Sequence, residues 1–403
     1  VSHDLVIVGG GPAGMVAGLL FARAGLKTLV LEKHADFLRD FRGDTVHPST
    51  LQLFHELGLL DELLRRPHNK VEQIGARIAG RFEWIADFRG LPVAAPYIAL
   101  MPQWDFLDFV ADVARRYPSF ELRQSCAGER LLEEGGRVVG VQTSAGDTVR
   151  AKLVIASDGR HSHFRAGLPQ RTIGAPMDVF WFRLPKRADA GNDSMGVFDR
   201  GRVFVLIDRG GYWQCAFVFP KGAADRLRDE GLDAFKARVR EVGPETAGVD
   251  EALHRWDDVK LLSVTVDRLD RWWRPGLLVI GDAAHAMSPI GGVGINLAIQ
   301  DAVAAANLLA PVLARGENPD PQLHRVQDRR LRPVQLTQAL QKFAQDGIIA
   351  PLLRGDEPFD TPPLAVRLLD ALPPLRGLPA RVIGLGFRPE HVRSPDAFAA
   401  AAP

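Results

Sequence analysis

The sequence predicts an α/β chain in which a mostly parallel sheet is interrupted by inserted antiparallel strands and followed by C-terminal helices. Three observations lead there. Residues 4–33 read strand, glycine-rich turn, helix, strand. A second unit of apolar strand, glycine turn and helix recurs over 277–299. Between the two, short runs of alternating character separated by glycine turns dominate.

Taken in order, Asp4-Leu5-Val6-Ile7-Val8 is an apolar strand, and 9–14 turns the chain into a helix whose inner face is Met15, Leu19, Leu20 and Ala22. Gly25 closes that helix as a left-handed cap, and Thr28-Leu29-Val30-Leu31 is the second strand. A polar turn at 40–44 leads into an amphipathic helix over 48–60. Residues 71–100 hold short strands between glycines, and 105–117 a helix. Segments 121–124, 128–134, 137–144 and 148–155 read as an antiparallel meander, turned at Glu133-Glu134-Gly135-Gly136 and Ala145-Gly146-Asp147. From 171 to 266 the chain is strand-rich and aromatic, with a helical interlude at 222–242. Beyond Asn296 the pattern is helical to 313 and again over 321–345, and the remainder reads as short outer helices. The expected organisation is discontinuous. Residues 1–70, 101–170 and 267–320 form one domain, 71–100 and 171–266 an antiparallel-sheet domain, and 321–403 a C-terminal helical segment.

Composition sets the class. The chain has 403 residues, 46% hydrophobic and 25% charged, which suits a sizeable core. A net charge of +1 gives no long-range attraction to nucleic acid or an acidic membrane. Cys126 and Cys215 stand far apart in no metal or redox spacing, which argues against a metal site or a disulfide framework. A strand that starts by residue 4 leaves no room for a signal peptide. No apolar run approaches the roughly 20 residues of a membrane span. The expectation is a cytoplasmic small-molecule enzyme, monomer or homodimer.

Gly9, Gly11 and Gly14 fit the dinucleotide fingerprint: a tight turn, a close approach for pyrophosphate, and close packing of helix on strand. Pro12 and Ala13 open the helix, whose free amides and positive dipole end face the phosphates. Glu32, followed by Lys33, ends the second strand, where a carboxylate accepts bonds from a ribose. This turn alone fits FAD or NAD. The second segment separates them. Asp282 at a strand end suits a ribityl or ribose group. The amides after Pro289, through Gly292 and Gly294, suit the pyrimidine edge of a flavin, where negative charge develops on reduction. One FAD held by both turns implies a Rossmann-like domain.

The chain resembles the single-component (group A) FAD-dependent aromatic hydroxylases, the para-hydroxybenzoate hydroxylase-like family. The resemblance covers residues 4–345 and rests on three motifs: Gly9-Gly10-Gly11-Pro12-Ala13-Gly14, Ala156-Ser157-Asp158-Gly159-Arg160-His161-Ser162, and Gly281-Asp282 with the loop from Pro289 to Asn296. It implies a GR2-type FAD-binding domain, non-covalent FAD and a substrate domain. It also implies that Asp282 bonds FAD hydroxyls, that Gly294, Ile295 and Asn296 hold the flavin edge, and that Arg42 meets the pyrophosphate. Gln103 would contact the cofactor, and Asp158 would serve FAD and a transient nicotinamide. No second dinucleotide fingerprint lies between 100 and 280, so NAD(P)H would visit a groove near Asp158 and Arg160 and leave.

That resemblance implies an NAD(P)H- and O2-dependent monooxygenase acting on a phenolic or polycyclic substrate through a flavin C4a-hydroperoxide. A base sharing the phenolic proton would make the ring more nucleophilic; the candidates are Asp44, His47 and Tyr212. Trp181, Tyr212, Trp213 and Phe217 are the candidate substrate wall. No arginine cluster in 171–220 marks a carboxylate clamp, which points to a neutral or larger substrate. A flavin halogenase or reductase of the same fold, or a flavin-binding module without catalysis, are the alternatives.

Overall fold

In the computed structural model, strands Phe120–Arg123, Thr28–Leu31, Ser2–Val8, Thr148–Ala156 and Leu277–Val279 lie side by side and parallel, with Trp273–Arg274 antiparallel at the edge. The structure describes residues 2–38, 45–187, 194–199, 201–355 and 361–399. Both faces of the central strand are covered, as a parallel sheet requires. Leu5 and Ile7 pack with Leu153 and Ile155 under the helices Pro12–Arg23, Gln103–Ala114 and Gly294–Ala314. Val6 and Val8 point the other way, into a cluster with Leu29, Val138, Val141, Val279 and Val334.

The expected meander holds for Gly128–Glu134, Arg137–Thr143 and Thr148–Ala156, which pair antiparallel. It does not extend to Phe120–Arg123, which pairs parallel with Thr28–Leu31 as the far edge of the main sheet. Local turn signals cannot reveal that long-range partner. The helix expected at 48–60 divides into Pro48–Glu56 and Leu60–Leu63, because Gly58 turns left-handed (φ 71°) between them.

One further expectation is corrected. The stretch Ile290–Ala314 is, by length and composition, long and apolar enough to cross a membrane. Polar residues such as Asn296, Gln300 and Asp301 disguise it in the sequence. Most of it is buried, and it packs between the helix Pro12–Arg23 and the helix Leu323–Ala344.

A second sheet runs in the order Lys260–Leu262, Met177–Pro185, Tyr212–Pro220, Arg202–Asp208, Met195–Asp199, Gln73–Ile78, Arg81–Asp87. Every pairing is antiparallel except Met195–Asp199 with Gln73–Ile78. Phe180, Phe182, Trp213, Cys215, Phe217 and Phe219 all point to one face, which the helices Ala224–Asp229, Leu232–Arg240 and Val249–Ala252 cover. The small residues Val179, Val203, Ala216 and Val218 face the other way, where Ile349 and Leu352 cover them and Ile290 of the glycine turn packs against the cluster. Ile98–Leu100 joins Thr45–Val46 and Asn69–Val71 in a separate small sheet.

Candidate flavin and substrate site

The first glycine turn is shaped by contacts that only glycine permits. Gly9 has φ 101°, and a Cβ there would meet the Ser157 carbonyl oxygen at 2.6 Å. A Cβ on Gly14 would fall 1.9 Å from the Gly9 carbonyl oxygen. A Cβ on Gly11, by contrast, would meet nothing within 4 Å. Gly9 and Gly14 therefore serve packing, and Gly11 leaves space. Glu32 braces this turn: its Oε2 accepts from the Gly10 N–H at 2.9 Å and its Oε1 from the His34 N–H at 3.0 Å. Lys33 is exposed beside it.

The middle motif docks onto the turn through Ser157, whose Oγ lies 3.0 Å from both the Val8 and Gly9 carbonyl oxygens. Asp158 follows. Burial pushes its carboxyl pKa up against the opposing hydrogen bond from Ser162, and its Oδ1 is buried without a partner among the described residues. Arg160 reaches the third motif, 3.5 Å from Asp282 Oδ2. A Cβ on Gly281 would meet that of Ala13 at 3.2 Å, so the first and third motifs also touch. The structure thus brings all three distant segments together.

Asn296 is buried in the helix Gly294–Ala314, and its side chain works as a latch. Its Oδ1 accepts from the His47 N–H at 3.0 Å and from Thr50 Oγ1 at 2.7 Å, and its Nδ2 points at the Thr45 and Gly292 carbonyls. The side chain therefore pins the 45–50 segment to the glycine turn; only its backbone remains for a cofactor. Pro289, Gly292, Gly294 and Ile295 remain half-buried around it. Removing two acceptor bonds at a buried site costs about 1–3 kcal/mol. Asn296→Ala is expected to lower the urea midpoint accordingly and to weaken FAD binding, read by flavin fluorescence.

These features fit FAD. The cradle is open at Gly11, Asp158 presents an unpartnered buried oxygen, and the helices starting at Pro12 and Gly294 carry neither a side-chain cap nor an acid in their first turn. Such N-termini attract negative charge. Gln103 is the first residue of the helix Gln103–Ala114. Arg42 and Asp44 lie outside the described residues.

His47 is fully buried. Its Nδ1 lies 2.8 Å from the Ile383 carbonyl oxygen, which places the proton on Nδ1, and its Nε2 has no partner among the described residues. Burial lowers its pKa to about 4. A base for phenols works best with a pKa near the operating pH, and burial moves His47 away from that range. It carries a pH signature instead. The folded pKa lies below the unfolded value of 6.5, so its contribution to stability is complete above pH 6.5 and is lost as pH falls toward 4. Relative to His47→Gln, wild type is expected to lose about 3 kcal/mol across that window, measured by urea denaturation at pH 7 and pH 4.

On the second sheet, side-chain alternation divides the candidate wall. Trp213 and Phe217 lie on the helix-covered face, and the structure removes them from any substrate surface on the glycine-turn side. Trp181 packs on the glycine-turn side, where its indole N–H is buried without a partner among the described residues. Tyr212 lines a cleft of about 830 Å³ together with His34, His68, Trp104, Arg183 and Arg209. The Arg183 guanidinium lies 4.9 Å from the Tyr212 ring centre, and Arg209 donates to Gln214 Oε1 at 2.9 Å. The cleft thus holds two arginines, Arg183 and Arg209, that show no cluster along the sequence of 171–220. Arg183 was findable, since it shares the parity of Trp181; Arg209 sits on a turn that pattern alone does not aim.

Sequence reasoning also missed a buried ionic network. Asp301 and Arg330 are almost fully enclosed, with Arg330 Nε 3.2 Å from Asp301 Oδ1. His285 Nε2 lies 2.6 Å from Asp301 Oδ2, which also accepts from the Gly281 N–H at 3.1 Å. Burial would push the Asp301 carboxyl up, but His285, Arg330 and the Gly281 amide reverse this and hold its pKa below the usual range. Arg330 reaches on to Glu390 and the Arg388 carbonyl, tying the C-terminal segment to the Asp282 turn.

Residues 2–340 match the family model described as FAD binding domain. The 6-methylpretetramide 4-monooxygenase of Streptomyces rimosus is 36% identical over 338 residues, which cover 81% of this chain and 80% of the relative. Para-nitrophenol 4-monooxygenase of Pseudomonas sp. (strain WBC-3) is 25% identical, over 77% of this chain and 79% of the relative. Among solved structures, the anhydrotetracycline hydroxylase OxyS from Streptomyces rimosus superposes with TM-score 0.75 at 24% identity, covering 95% of this chain and 76% of that one.

Proposed function

Since this chain belongs to the FAD-binding-domain family and is an FAD-dependent aromatic monooxygenase, we propose that its substrate is a phenol built on several fused rings and that NAD(P)H supplies the electrons. The observation that carries this reading is the cleft of about 830 Å³ beside Tyr212, far larger than one phenol ring needs. The name of the S. rimosus relative, a 6-methylpretetramide 4-monooxygenase, supports a multi-ring substrate.

When bound, FAD supplies two-electron reduction by the nicotinamide and activation of dioxygen. The chain supplies position and shelter. In this reading Gly11, Pro12, Ala13 and the Gly294–Ile295 backbone hold the anionic and pyrimidine parts of FAD, while Asp158 and Asp282 take its hydroxyls. Lys33 and Gln103 are assigned to the same group, and Arg42 keeps the pyrophosphate role that the family resemblance implies. Trp181 donates its indole N–H to a substrate oxygen, and Tyr212, stacked under Arg183, orients the rings. The sheet face of Val179, Val203, Ala216 and Val218, buried against Ile349 and Leu352, is an apolar backing that excludes water. Residues 1–70, 101–170 and 267–320 are assigned to the cofactor side, 71–100 and 171–266 to the substrate side, and 321–403 to the outer helices.

The test is a titration of the holoenzyme with single-ring and fused-ring phenols, following the flavin spectrum, NAD(P)H consumption and product. Fused-ring phenols are expected to perturb the spectrum and to yield a hydroxylated product matched to nicotinamide consumed. Turnover confined to single-ring phenols would contradict the multi-ring assignment.

A further inference from the structure

A second cavity, of about 170 Å³, lies where the glycine turn, the helix Leu323–Ala344 and residues 382–388 meet, and it shares no lining residue with the large cleft. Its walls are mainly apolar, including Ile290, Val293, Leu297, Pro333 and Ile383. Leu340 and Phe387 also line it and are 45% and 40% exposed, which makes them its outer rim. Gly291, without a side chain, lines it from the turn. Ser49, Asn296, Gln300, Arg330, Thr337, Gln341 and Arg388 also line it, and Asn296, Arg330, Thr337 and Gln341 are already hydrogen-bonded to protein groups. Gln300 is 3% exposed, its Oε1 accepts from the Glu390 N–H, and its amide nitrogen has no partner among the described residues.

Size and polarity select the guest. A water occupies roughly 30 Å³, and an apolar cavity of about 150 Å³ stays dry and takes xenon or benzene. The reaction consumes dioxygen, a small apolar molecule, while water must be kept from the reacting centre. A multi-ring substrate filling the large cleft closes that approach. An apolar space reaching the glycine turn from the other side does not pass through it.

We propose that this cavity is a holding site for dioxygen, entered between Leu340 and Phe387 and opening toward the flavin cradle past Gly291. The proposal rests on the monooxygenase reading. Its test uses holoenzyme crystals under xenon pressure together with rapid mixing of reduced holoenzyme and oxygenated buffer. Xenon is expected in the cavity of wild type. Leu340→Trp at the rim and Ala344→Phe in the wall should lose the xenon and slow flavin reoxidation several-fold, with anaerobic reduction by NAD(P)H unchanged. Because Leu340 is half-exposed, its variant guards against a folding failure of the other. A wild-type cavity without xenon, or wild-type reoxidation rates in both variants, would overturn the proposal. A protein that takes no FAD would sink the functional reading instead, and the xenon map would still report on the cavity.

Discussion

Gly14→Ala is expected to abolish FAD binding and to destabilise the apoprotein, whereas Gly11→Ala should weaken FAD binding and leave the apoprotein unchanged. The two glycines differ in what a methyl group would meet. At Gly14 it lands 1.9 Å from the Gly9 carbonyl oxygen, and neither partner is a flexible side-chain end. Helix and strand must separate, which costs about 1–3 kcal/mol or more, as overpacking generally does. The turn then no longer presents its amides. At Gly11 the methyl meets nothing of the protein, so it can obstruct only what enters the cradle. Urea denaturation of the apoproteins and flavin-fluorescence titration separate the two effects. Equal loss of apoprotein stability in both variants would remove Gly11 from the cofactor path.

Asp301→Ala is expected to cost about 3–5 kcal/mol, the usual penalty for stripping one partner from a buried charge network. It leaves the Arg330 guanidinium, 1% exposed, with Glu390 but without Asp301, and it frees the His285 ring and the Gly281 amide. The Asp282 turn should loosen with it, so FAD affinity falls alongside the urea midpoint. The double variant Asp301→Ala/Arg330→Met should recover part of the stability, because the half-paired buried charge is gone and Glu390 keeps Arg329. Strict additivity of the two single variants would contradict the coupling.

Much of the fold was legible because the parallel sheet and its glycine turns are local patterns. The strand at 4–8, the helix capped by Gly25 and the strand at 28–31 follow from period and punctuation. The edge strand Phe120–Arg123 was not, since its partner Thr28–Leu31 lies far back in the chain and no local signal names it. The substrate wall was half legible. Large aromatics drew attention to Trp213 and Phe217, yet in that sheet they mark the face packed under helices, while Val203, Ala216 and Val218 pack on the other face against Ile349 and Leu352. Strict alternation from Trp181 would have named Arg183. His47 was located by its neighbourhood to the glycine turn, but its enclosure under Ile383 depends on a C-terminal helix that the sequence does not aim. Asp301 stands inside an alanine-rich helix, and only its enclosure with Arg330 and His285 gives that charge a meaning.

The most direct test of the account is the flavin content of the purified, reconstituted protein after removal of free cofactor, read by visible absorbance. Convergence of the Gly9–Gly14 turn and the Gly281–Asn296 segment on a single molecule predicts one FAD per chain, released intact on denaturation. A colourless protein that takes up no added FAD would contradict it.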